Sequence, residues 1–291
     1  MGSGLVNGFS KLNYNVYGLD KNFNYVFIKK KNIHIFKKNI LQIKKIKKVK
    51  DIDYFIHNAA ITNPKKKYLK KKILEKNLLL TQKALNLALE LKAKNFSFIS
   101  STSIYRSQIS HNYSEKSKIM PKDNYSKSKI LSEKFIIKFC KVNNLNFNIF
   151  RLGNLYSSIE KIKWSRNQLS AIKRWVDDYN NKKILKTESF KMNREWTYLA
   201  DIPKVIHSIF NSSKNNLNIL NLVSPYIISD LEVMKIIETN KRMQKLFVEK
   251  NPFSQINNAT YSIYIKKFNF NKWTSPKKGI KKIKNRNNEK I

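Results

Sequence analysis

Two side chains able to share a proton stand in the stretch DNYSKSK, where Tyr125 and Lys129 are four residues apart. At a helix start that spacing puts both on one face. A phenol in water ionises near pH 10, roughly, and an ammonium held beside it stabilises the phenolate, making it a base usable closer to neutrality. Upstream, SSTSIY supplies Ser101, whose hydroxyl can hydrogen-bond a substrate hydroxyl or carbonyl. Chance is the competing explanation, because a chain with 14 tyrosines and 59 Lys and Arg residues makes Tyr-x-x-x-Lys a common spacing. Position along the fold must decide between them.

The elements that carry these residues alternate. Leu5, Phe9 and Leu12 form a helical stripe, and the strand-like NVYGLD that follows ends on Asp20. A short strand is expected around Ile33 to Phe36. Another lies in DYFIHNAA (Asp53 to Ala60), an apolar run ending in small residues. Leu74, Leu78, Leu85 and Leu91 keep helical spacing, and FSFISSTS (Phe96 to Ser103) reads as a buried strand ending in hydroxyls. A helix from about Tyr125 turns Ile130 and Ile137 inward, and FNIFRL (Phe147 to Leu152) gives a further strand. Strands alternating with helices imply right-handed crossovers, hence an α/β protein with a Rossmann-like, doubly wound parallel sheet and ligands at the strands' carboxyl ends.

Beyond Asn154 the pattern loosens into a helix near Leu169 to Tyr179, a strand-like WTYL, and a helix opened by Asp201 as N-cap with Pro203 in its first turn. The basic tail from Lys277 is expected to fray. The expected division is a nucleotide-binding unit of residues 1–154 that also receives about 196–224, and a smaller substrate lobe of 155–195 and 225–291.

A formal charge of +40 is ordinarily the mark of a nucleic-acid or membrane-surface protein. Here lysine is spread along the chain, as in Lys65 to Lys67, Lys70 to Lys72 and Lys281 to Lys282, which reads as drift toward Lys, Asn and Ile on solvated faces. A dedicated nucleic-acid surface is disfavoured, although the field still attracts phosphorylated substrates. A hydrophobic fraction of 41% argues for a packed globule. The single cysteine, Cys140, excludes an internal disulfide and suits a reducing compartment. It falls on the apolar side of the Tyr125 helix and reads as packing. His34, His57, His111 and His207 show no metal-ligand spacing, so no metal is expected. No segment has the apolar length of a membrane span, and the start lacks the layout of a signal peptide, which makes cytoplasm the expected location.

Taken in order, GLD, HNAA, FISSTSIY, YSKSK, RLGNLY and REWTYLAD resemble the extended short-chain dehydrogenase/reductases, the NAD-dependent epimerase/dehydratase group that acts on sugar nucleotides. The likeness runs from about Gly2 to Ile283. It implies a catalytic trio: Tyr125 as acid/base on the reacting oxygen, Lys129 tuning it and holding the nicotinamide ribose, and Ser101 polarising that oxygen. It implies NAD rather than NADP, because Asp20 accepts from the adenosine ribose and repels a 2′-phosphate. Gly2, at the family's glycine turn, and Asn39, where relatives carry an Asp near adenine, belong to the same cofactor surface, as do His57, Ala59 and Ala60. Asn154 and Arg194 match positions that bind the substrate diphosphate, for which the planar fork of Arg is suited, and Trp196 lies near enough in sequence to approach the sugar nucleotide. Ordinary readings stand beside these: a strand-end turn acid for Asp20, a tight strand exit for 57–60, a surface charge for Arg194, and core anchors for Trp164, Trp175, Trp196 and Trp273.

Departures from the family narrow the reaction. Aligning LVNGFSKLNYNVYGLD without gaps makes Gly2 the last glycine of the turn and leaves the first strand unmatched; a competing register uses both Gly2 and Gly4. Either the chain starts upstream of Met1, or the protein is a relative with impaired cofactor binding. Thr102 and Ser103 follow Ser101 where dehydratases carry acids, which disfavours elimination of water, and Arg106 and Ser157 replace glycines. What remains expected is an NAD-dependent epimerase or keto-reductase of a nucleotide sugar. Its rivals are a non-catalytic descendant and a basic nucleic-acid-binding protein on the same scaffold; homodimerisation is left open.

Overall fold

The computed structural model describes residues 1–22, 30–43, 46, 49–105, 112–212, 218–245, 247–251 and 259–288. Arg106 and His111 lie outside them. The chain opens with α1 (Gly2–Lys11), β1 (Val16–Asp20), β2 (Ile33–Lys37), β3 (Tyr54–His57), a short α2 (Lys67–Lys71), α3 (Ile73–Glu90) and β4 (Asn95–Ser101). After a 3-10 turn at Thr102–Tyr105 come α4 (Asn124–Val142), β5 (Asn146–Leu152), β6 (Asn154–Tyr156), α5 (Ala171–Asn180), β7 (Lys186–Thr187) and β8 (Asn193–Tyr198). The remainder is α6 (Ile202–Phe210), β9 (Ile219–Leu222), β10 (Ile227–Ser229), α7 (Asp230–Ile237), α8 (Lys241–Gln244), β11 (Val248–Glu249) and α9 (Pro276–Asn288).

The expected parallel sheet is present as β3-β4-β5-β9, with His57 opposite Phe98 and Ser101 opposite Leu152. β1 and β2 form a separate parallel pair. A doubly wound order places one strand between the equivalents of β1 and β3; among the described residues that ladder is not made. The two half-sheets are joined through side chains instead. Val16 and Tyr14 share one apolar cluster with Tyr54 and Ile56, beneath Leu5 and Phe9 of α1 and Phe210 of α6. Leu19 and Phe36 share another with Ile52, Phe55, Leu87 and Leu91. Tyr54 stacks on Phe210 with ring centroids 3.7 Å apart. Full burial of such a side chain is worth roughly 1.5–3 kcal/mol relative to exposure and these partly buried ones contribute a share of that, so the halves stay together without a shared ladder. Helices α1 and α6 pack closely because residue 8 is a glycine: a Cβ there would lie 2.3 Å from Pro203 Cγ. Gly4 faces Leu199 in the same way, at 2.7 Å, which makes it a packing glycine.

One expectation is corrected by packing. The basic tail does not fray over 276–288: it forms α9, whose Ile280 and Ile283 are buried with Trp175, Trp196 and Val233. Asp201 stands at the N-cap of α6 with Pro203 in its first turn, as expected, while its carboxylate turns away from the helix to accept from Thr274 N at 2.7 Å and Thr274 Oγ1 at 2.9 Å, tying the chain before α9 to the start of α6. Trp196 and Tyr198 pack with the second cluster, and β8 pairs with β6 and β10, while Ile265, Phe268 and Trp273 pack against the core beside α1 and α6.

Candidate active site

Helix α4 starts where the local chemistry says it should. Asp123 accepts from Ser126 N at 2.7 Å, and Ser126 Oγ accepts from Asp123 N at 3.2 Å, a reciprocal capping box. One turn inside, Lys129 is 3% exposed, and its Nζ donates to Ile99 O at 2.7 Å. It lies 4.5 Å from the centroid of Phe98 and 5.6 Å from that of Tyr125. Burial lowers the Lys129 pKa to about 7, and Glu133 one turn further on works against that shift. Two residues beyond Ile99, Ser101 closes β4, with its Oγ accepting from Ser103 N at 3.2 Å. Tyr125 and Lys129 are thus brought together, and Lys129 is fastened to the strand that ends in Ser101.

Beneath them lies a buried polar network. Arg151 on β5 donates to both oxygens of Glu133, from Nε at 3.1 Å and Nη2 at 2.6 Å, with each side chain only 4% exposed. Ser100 Oγ donates to Glu133 Oε1 at 2.5 Å. Arg151 Nη1 donates to Tyr105 Oη at 2.6 Å, and Tyr105 donates to Asn221 Oδ1 at 3.0 Å. Sequence reading missed this network. Glu133 repeats the four-residue step from Tyr125 through Lys129, a signal present in the chain; its partners on β4 and β5 have none.

The expected cofactor residues lie at the carboxyl ends of the strands. Gly2 opens α1, and a Cβ on it would sit 3.6 Å from Asn58 Nδ2, so the helix start adjoins the 57–60 run. Asp20 is exposed at the end of β1, and its Oδ1 accepts from Asn22 N at 3.0 Å. Asn39 is half-buried after β2 and forms a turn, Oδ1 accepting from Leu41 N at 3.1 Å. Ala59 is exposed and Ala60 half-buried, leaving the backbone approachable. The His57 side chain does not face outward: it is 2% exposed, stacks on Phe98 at 5.6 Å, and its Nε2 lies 3.4 Å from Thr81 Oγ1. Burial, reinforced by the Lys129 charge, pushes its pKa down to about 3, so it is neutral at ordinary pH. An exposed acid at one strand end, alanines at another and a helix start beside them fit a dinucleotide.

The expected substrate residues are already partnered. Asn154 donates from its backbone N at 3.2 Å and from Nδ2 at 3.1 Å to Glu195 Oε1, and Thr260 N donates to Glu195 Oε2 at 2.9 Å. Burial raises the Glu195 pKa to about 7, opposed by those backbone hydrogen bonds. Arg194 gives Nε and Nη2 to the buried Asp230 at 2.9 and 3.1 Å. Trp196 is 2% exposed and meets Trp175 edge-on at 6.0 Å, so it is a core anchor and offers a substrate no surface. Cys140 is buried, which raises its pKa to about 12 and matches its reading as packing. Among the described residues no group of metal-ligating side chains occurs, and no helix is long and apolar enough to cross a membrane.

Sequence comparison decides the family at this point: residues 1–222 match the model of the NAD dependent epimerase/dehydratase family. The chain belongs to that family. Its members are NAD-dependent enzymes with this Rossmann-like fold. A curated relative, dTDP-D-glucose 4,6-dehydratase of Dictyostelium discoideum, is 28% identical over 229 residues, 72% of this chain and 50% of the relative. The chain therefore spans about half the length of that relative. Among solved structures, UDP-glucuronic acid 4-epimerase from Bacillus cereus, in complex with UDP-glucuronic acid and NAD, superposes with a TM-score of 0.80 at 19% identity, covering 100% of this chain and 96% of that one. UDP-glucose 4-epimerase from Thermotoga maritima, with UDP-glucose, gives 0.78 at 14% identity, covering 99% and 96%. At these identities the likeness is one of fold.

Proposed function

We propose that this family member is an NAD-dependent epimerase or keto-reductase of a nucleotide sugar, with Tyr125, Lys129 and Ser101 at its reacting centre. The observation that carries the reading is Lys129: an ammonium buried beside the Tyr125 ring and pinned to the β4 carbonyl two residues before Ser101. NAD, when bound, supplies the acceptor and donor of hydride. Asp20 holds the adenosine ribose, while Gly2, Asn39 and the backbone at 57–60 line the groove. The Tyr125 phenol exchanges the proton of the sugar hydroxyl, at C4, and Ser101 donates to the same oxygen as it becomes a carbonyl. Lys129 favours the phenolate by its charge and reaches the nicotinamide ribose. In an epimerase the transient ketone would turn over before hydride returns to its opposite face; in a reductase a keto sugar would take hydride from the reduced cofactor and a proton from Tyr125 and leave as the alcohol, with the cofactor leaving oxidised. For the diphosphate, Arg194 retains Nη1 and the outer Nη2 proton once Asp230 has taken its other edge, and Asn154 retains Oδ1 and one amide proton. Nucleotide sugars, UDP- and dTDP-linked, are the substrate class to which the relatives point.

Incubating the purified chain with NAD and a panel of nucleotide sugars, read by product mass and NMR, tests this. Turnover lost in Tyr125→Phe with NAD binding retained supports it, and undiminished turnover in that variant defeats it. A second reading, a cofactor-impaired family member, is favoured by β1 and β3 sharing no ladder, directly or through another strand, among the described residues. Calorimetric titration with NAD separates the two, since that reading requires no saturable binding.

A further inference from the structure

Residues 160–167, between β6 and α5, form a strap that the reacting centre does not use. Its base is closed by one carboxylate: Glu160 accepts from Ser157 N at 3.0 Å on one side, and from Ser170 N at 2.8 Å and Ser170 Oγ at 2.6 Å on the other. Arg166 Nη2 adds a contact at 3.4 Å. The tip is a tight turn in which Lys163 and Arg166 exchange backbone hydrogen bonds at 2.9 and 3.0 Å, leaving Trp164 and Ser165 at the apex. Ser165 O accepts from Thr62 N at 3.0 Å and Asn63 N at 3.1 Å, and Asn167 N donates to Asn63 O at 2.7 Å. The strap is thus bound to the loop that follows β3.

Its apex reaches across to the end of β1. Lys21, the residue after Asp20, sets its Nζ 3.8 Å from the centroid of the Trp164 ring. With the Asn22 amide oriented so that its oxygen faces the indole, it accepts from Trp164 Nε1 at 3.1 Å. The charges of Lys163 and Arg166 are felt at Met1, just before α1. Despite backbone fastening on both sides, Trp164 is 43% exposed. Trp175 and Trp196, at 2% each, are core. A large aromatic held rigidly but left open beside an exposed ribose-binding acid is a stacking platform, since a base can lie on it without ordering cost.

We propose that residues 160–167 are the outer wall of the dinucleotide groove and that the Trp164 indole is the surface on which the adenine ring stacks, displacing the Lys21 ammonium. This rests on the NAD reading above, and it adds a residue that the family resemblance did not supply.

Binding separates the two claims without recourse to turnover. Calorimetric titrations of the full chain with NAD, ADP and nicotinamide mononucleotide are compared for wild type, Trp164→Ala and Trp164→Phe. Loss of one base–aromatic stack weakens binding by roughly fivefold or more, so Trp164→Ala is expected to lose at least that much for NAD and ADP. Trp164→Phe keeps most of the affinity, and nicotinamide mononucleotide, which has no adenine, binds all three proteins alike. Equal ADP affinity in wild type and Trp164→Ala overturns the stacking role, as does an equal loss for nicotinamide mononucleotide. Wild type that binds neither NAD nor ADP overturns the cofactor reading itself.

Discussion

The interface between α4, β4 and β5 and the exposed ends of β1 and β2 solve the placement of polar groups in opposite ways. In the interface, Glu133, Arg151 and Ser100 are buried and satisfied by one another, and the buried Lys129 is satisfied by the Ile99 carbonyl. At the strand ends, Asp20 and Asn39 are satisfied by the backbone two residues on and keep access to solvent. The first arrangement is stiff and intolerant, because deleting one buried partner leaves another uncompensated. The second is tolerant and open, because a local turn costs nothing elsewhere when its side chain turns to a ligand. Proton transfer needs fixed distances, whereas a cofactor must enter and leave, so the contrast follows the tasks proposed for the two regions.

The sharpest way to break that contrast is at Tyr125. Removing a positioned acid/base costs about 10²–10⁴ in rate, so Tyr125→Phe is expected to lower kcat by that factor while the unfolding free energy and NAD affinity stay near wild type. A comparable loss of stability would mean that Tyr125 belongs to the scaffold. Glu133→Ala strands the Arg151 guanidinium and is expected to cost about 3–5 kcal/mol in urea unfolding; a loss below about 1 kcal/mol would show that water reaches the pair.

The Glu195 carboxyl, buried on β8 against Asn154 and Thr260, shows through pH how a second buried polar group behaves. Its folded pKa of about 7 lies above the unfolded value, so the folded state holds the proton more tightly, and stability declines as pH rises from about 4.5 to 7. Glu195→Gln is expected to flatten that decline in thermal unfolding series, and a slope identical to wild type would show that the group is not buried. His57 works in the other direction. Its folded pKa of about 3 means that its contribution is lost as pH falls from about 6.5 toward 3, and His57→Phe should lessen the acid sensitivity. At the tolerant end, Asp20→Ala is expected to leave stability within about 0.5 kcal/mol, as for other exposed substitutions. It should weaken NAD roughly tenfold and narrow the preference over NADP, both read by calorimetry; unchanged discrimination would remove Asp20 from the ribose site.

How much could be read in advance follows the same division. The Tyr125 helix was legible because its spacing, its Asp123 cap and its apolar stripe are local and agree with one another. Asp20 and the 57–60 exit were legible because strand ends announce themselves in a few residues. The burial of the His57 side chain was not legible, because the direction in which a strand-end residue points depends on what packs there, and here Phe98 and Thr81 cover it. Trp196 and α9 depend in the same way on elements far off in sequence: Ile280 and Ile283, within an otherwise lysine-rich tail, meet a lobe core assembled from β8, α5 and α7.

The sequence by itself therefore determined the order of the main strands and helices as far as β5, the family, and which residues sit at the ends of those strands, since periodicity acts within a few residues. Only the tertiary structure decided that Glu133 faces Arg151, that Asp230 holds one edge of Arg194, and that the 160–167 strap crosses to Lys21. A buried charge must find its partner somewhere, but nothing in its own neighbourhood along the chain says where.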